Sequence, residues 1–144
     1  MIEKDTIRLL RECDAGIKMG VASIDEVLDN VNAEMFRMCL KNCKREHEKL
    51  QDRINSLLRQ YEDEGKEPNP ITKGMSWIKT NVCLAVDDSD KTVAALMTEG
   101  CNMGVESLSR YLNQYRAASE EAKAICCELI ALEERLAKDI RCYL

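Results

Sequence analysis

The chain has 144 residues, 33% of them charged and 45% hydrophobic, with a formal net charge of −5. That length suits one domain spanning residues 1–144, burying roughly two thirds of its unfolded surface, and excludes a second. The acidic balance repels a phosphate backbone, which argues against nucleic acid as a partner, and a single histidine, His47, excludes any site built on two imidazoles.

Two prolines and six glycines are too few turn-makers for an all-β chain, so the expected class is all-α. The first segment repeats Ile7, Leu10, Asp14, Ile17, Val21, Ile24, Leu28 and Val31 in steps of three and four, the narrow stripe of a bundle helix. Asn30 and Asn32 break it, and either is suited to cap the next helix. The second stripe runs Phe36, Leu40, Cys43, His47, Leu50, Ile54, Leu57 and Tyr61, with Gly65 expected as the C-terminal cap. Pro70 opens a further helical piece carrying Met75, Ile78, Val82 and Val86, which the run Asp87, Asp88, Ser89, Asp90 interrupts as a kink or a short loop. A segment from Val93 to Tyr115 follows. Ser119, with Glu120 and Glu121 behind it, then starts a last helix whose stripe runs from Ala122 to Tyr143. Four main helices result, the third kinked or preceded by an extra piece, and the short connections favour antiparallel neighbours in an up-down bundle.

Eight cysteines stand at 13, 39, 43, 83, 101, 126, 127 and 142. The start of the chain lacks the basic-then-apolar order of an export signal, so a cytoplasmic location with free thiols is expected, and most cysteines read as small buried hydrophobes. No stretch is apolar enough for a membrane partner. Cys39 and Cys43 share a helix face one turn apart, and Cys43 lies one turn from His47. No nucleophile-and-base motif or phosphate-cradling glycine loop occurs, which gives enzymatic hydrolysis little support.

Two short echoes relate the halves of the chain. Cys13-Asp14-Ala15-Gly16-Ile17 matches Cys101-Asn102-Met103-Gly104-Val105, and Glu48-Lys49-Leu50 matches Glu134-Arg135-Leu136. A true duplication makes two hairpins about a pseudo-twofold axis.

Four long helices in this pattern resemble the ferritin-like superfamily, closest to a small bacterial branch of four-helix-bundle proteins. Leu10 to Gly16, Glu46 to Leu50 and Cys101 to Glu106 carry the resemblance. It implies a di-iron site with one carboxylate on each of two helices and an E-x-x-H pair on each of the other two. Against that pattern Asp14 stands for the first carboxylate, Lys44 replaces the glutamate paired with His47, Asn102 replaces the second carboxylate, and Glu133 echoes His47. The ligand set is incomplete.

Counting outward from the turn near residues 31 and 32 places His47 opposite Ile17 and within one helical turn of Asp14, so an Asp14 to His47 hydrogen bond is predicted. The expected function is that of a non-catalytic structural or binding protein. The alternative is a metal-binding bundle holding zinc or copper(I) through Asp14, Cys39, Cys43, His47 and Glu133. Val27, Met35, Trp77 and Leu96, outside the main stripes, point to a homo-oligomer.

Overall fold

A computed structural model of the chain describes residues 2–63, 65–66 and 89–144. The described residues form four long helices and no strand: α1 (Ile2–Val27), α2 (Glu34–Gln60), α3 (Ser89–Gln114) and α4 (Glu120–Asp139). Short 3-10 turns follow α1 at Leu28–Asn30 and α4 at Arg141–Tyr143. The expected helical piece at 70–86 and Trp77 lie outside the described residues.

The helix ends fix the topology. Backbone N–H groups of Ala117 and Ser119, between α3 and α4, donate to Asp5 Oδ2 (3.1 Å) and Thr6 Oγ1 (2.7 Å) at the start of α1. At the other end, Asp90 on the first turn of α3 accepts from Asn32 N (2.6 Å) and Ala33 N (2.9 Å) between α1 and α2. The helices therefore run up, down, down, up, with α2 and α3 pointing the same way. Strict up-down alternation does not hold, because α2 ends at the lower end and α3 begins at the upper one. Helix α1 packs on α2, α3 and α4, and α4 packs on α2 and α3 as well.

Capping follows the sequence at one helix and departs from it at another. Ser119 caps α4 as predicted, its hydroxyl accepting from Ala122 N. Neither Asn30 nor Asn32 caps α2: the N-cap is Ala33, with no side-chain bond of its own. The full charge of Asp90 serves that positive helix end instead. Gly65 does not end α2 either. The helix closes after Gln60 with Asp63 N on Leu58 O (2.9 Å) and Glu62 N on Arg59 O (3.1 Å), a Schellman arrangement that puts Glu62 in the left-handed region at φ 57.

The core divides into two clusters of four-helix composition. The upper one gathers Ile24, Phe36, Leu40, Val93, Met97 and Leu136; the lower one gathers Leu9, Ile17, Ile54, Leu58, Ile125 and Leu129. Val27 and Leu96, expected on an outer face, are both buried in the upper cluster, while Met35 is 70% exposed. Leu58 replaces Leu57 in the stripe of α2, and Tyr143, in the 3-10 turn after α4, stacks on Phe36 with ring centroids 4.5 Å apart.

Candidate functional site

Between the two apolar clusters lies a polar level to which every helix contributes. On α2, His47 follows Cys43 of the upper cluster and precedes Leu50 of the lower. On α4, Glu133 stands between Leu132 and Leu136, which belong to the lower and upper clusters. His47 Nε2 lies 2.8 Å from Glu133 Oε1, with side-chain exposures of 1% and 14%.

Two glycines face the pair, one of them at close approach. A Cβ at Gly20 on α1 would lie 3.3 Å from His47 Nε2, and one at Gly104 on α3 would lie 3.6 Å from the Glu133 carboxyl carbon. Each hairpin thus supplies a glycine from its first helix and a titratable group from its second. The sequence echo pairs Gly104 with Gly16, but Gly16 meets nothing within 4 Å, and Gly20 occupies the equivalent place.

The charge state of His47 follows from its neighbours. Its Nδ1 lies 2.8 Å from the carbonyl oxygen of Cys43, which only accepts, and its Nε2 faces a carboxylate oxygen. Both ring nitrogens therefore donate, which requires an imidazolium. Burial pulls the His47 pKa down, but the contacts with Cys43 and Glu133 outweigh it and push the value up to about 10. Cys43 Sγ lies 3.5 Å from Nδ1. Across the bundle, burial pushes the Cys101 thiol up, and the Glu133 carboxylate adds to the rise.

Asp14 does not meet His47. It is fully buried, but its Oδ2 binds Lys18 Nζ (2.8 Å) on the same helix and accepts from Lys66 N (3.1 Å). Its Oδ1 has no hydrogen-bond partner among the described residues. The α1/α2 hairpin pairs His47 with Gly20, three residues beyond Ile17, because the 3-10 turn and the extended residues after it shift the register by about a turn. Gly65, at φ 87, packs on the Asp14 carboxylate with no space for a Cβ. Nearby Lys66 Nζ reaches Glu12 Oε1 at 2.5 Å, and Arg11 reaches Asp63 at 3.2 Å.

Asn102, set against Asp14 by the echo, is exposed, whereas its neighbour Cys101 is buried. Cys13 and Cys126 are buried together in the lower cluster, and their hydrogen bond, with burial, raises the Cys13 thiol well above its ordinary pKa. Cys127 points outward from Cys126, as consecutive helical positions about 100° apart require. Cys39 is half-buried and Cys43 buried, both lining a groove between α2 and α4. Among the described residues no group of three or more His, Cys, Asp and Glu side chains is placed to hold a metal ion.

Sequence reasoning placed His47 and Glu133 in one candidate ligand set but did not predict their direct ion pair. It also missed Gly20. The available signal was a glycine in a helix interior, an unfavourable choice unless a close approach requires it. No family model, curated protein or solved structure matches the chain.

Proposed function

We propose that the chain is a ferritin-like bundle that acts as a non-catalytic structural or binding protein, with an ion pair standing where a di-iron centre would sit. The observation that carries this reading is the polar level itself. Four helices converge at mid-height on Gly20, His47, Gly104 and Glu133, and the imidazole spends both nitrogens on protein acceptors. A metal ligand needs a free nitrogen lone pair, and an imidazolium has none. The order up, down, down, up, with one long connection between α2 and α3, supports the ferritin-like assignment.

A homo-oligomer in the cytoplasm is part of the same proposal. Met19 and Met103, 39% and 54% exposed on the packed helices α1 and α3, supply apolar surface for side-by-side pairing. No helix among the described residues is long and apolar enough to cross a membrane.

Metal analysis of protein purified without a histidine tag and exposed to ferrous iron tests the central point. Iron well below one equivalent per chain is expected, and about two per chain would sink the reading. Light scattering at high concentration tests the assembly, with a monomer as the refuting result.

A further inference from the structure

The groove between α2 and α4 is lined by sulfur along one stripe of α2. Met35, Met38, Cys39 and Cys43 all face it, and its volume is about 660 Å³. Met35 and Met38 are 70% and 49% exposed, so these thioethers stand in water at the mouth, while Cys43, 8% exposed, lies at the floor. Packing alone gives no reason for two long apolar side chains to be left in water beside an open groove.

We propose that this groove is a copper(I) site, with Cys39 and Cys43 as thiolate ligands and one thioether, from Met38 or Met35, completing the set at its mouth. Soft sulfur donors select copper(I) over harder ions. Zinc takes four nitrogen, oxygen or thiolate ligands, and no group of even three such side chains is assembled among the described residues. Copper(I) needs no such cage, since two thiolates and a thioether satisfy it. The proposal is independent of the ferritin-like assignment and leaves Asp14 and His47 out of the ligand set.

Binding is a proton exchange without redox change. Two thiols and one Cu⁺ give a bis-thiolate of charge −1 and two released protons. Arg135, on the α4 wall of the groove, supplies a permanent positive charge opposite that anion. The carboxylates of Glu46 and Asp139 also line the groove and oppose a net anion.

The test is an anaerobic titration of the reduced full chain with copper(I) against bicinchoninate. One equivalent withheld from the chelator is expected. Cys39→Ser should lower the affinity at least tenfold, as should the pair Met35→Leu and Met38→Leu, which keeps the groove apolar and does not touch the core thiol. Cys83→Ser with Cys127→Ser should leave binding unchanged. No copper withheld, full binding in the Cys39 and methionine variants, or binding that vanishes with Cys83 and Cys127 would overturn the site.

Discussion

Among its described residues the bundle buries two ionic sites and treats them differently. At mid-height, His47 and Glu133 join helices 86 residues apart in sequence, each ring nitrogen has an acceptor, and glycines on the other two helices close the space. At the level of the lower cluster, Asp14 is equally buried, but one oxygen is served by a lysine on its own helix and by a backbone N–H, and the other oxygen has no partner among the described residues. The first site holds two hairpins together. The second tethers the chain leaving α2 to α1. A buried charge specifies a fold strongly only when its partner comes from a distant element.

Removing one partner at mid-height should have the largest effect. Glu133→Ala strands a buried imidazolium and should cost about 3–5 kcal/mol in urea unfolding. The double substitution His47→Leu, Glu133→Met removes both charges and should recover most of that loss. A double variant as weak as the single one would mean the pair does not act as a unit.

The pH dependence tests the same contrast. His47 binds its proton more tightly folded than unfolded, since its folded pKa is about 10 against an ordinary 6.5. Its contribution is complete below pH 6.5 and is lost as pH rises through about 10. Unfolding midpoints should therefore fall across that window in the natural chain, and this component should vanish in the double variant. An identical slope in both would assign it elsewhere.

Asp14→Ala should cost less than Glu133→Ala, about 1–3 kcal/mol, because Lys18 is partly exposed whereas His47 is buried. A loss equal to that at Glu133 would erase the distinction between the two sites. The smallest effect compares glycines. Gly16→Ala, in open space, should gain up to about 1 kcal/mol from helix propensity, whereas Gly20→Ala presses on His47 and should gain nothing. Equal thermal shifts would show that the ring yields freely.

What the sequence made legible was local. Ser119 as a cap, the outward turn of Cys127 after Cys126, and four apolar stripes depend on residues within a turn or two of each other, and each is present. Register between helices was not legible. Asp14 and His47 both occupy buried stripe positions, as predicted, yet the 3-10 turn at Leu28–Asn30 slides α2 along α1 and separates them. The pairing of His47 with Glu133 depends on how two hairpins dock, which periodicity within either hairpin does not encode. Glu62 shows the same limit at smaller scale: glycine statistics favour Gly65 as the helix stop, but the hydrogen bonds to Leu58 and Arg59 close three residues earlier.

The loan of Asp90 to the top of α2 has a kinetic side. Asn32 N and Ala33 N find their acceptor on a residue 58 and 57 positions later, so the first hairpin on its own leaves the start of its second helix frayed. That turn becomes firm only when α3 arrives. The first hairpin thus borrows its helix cap from the second, and amide protection in the first turn of α2 should appear together with that in the first turn of α3.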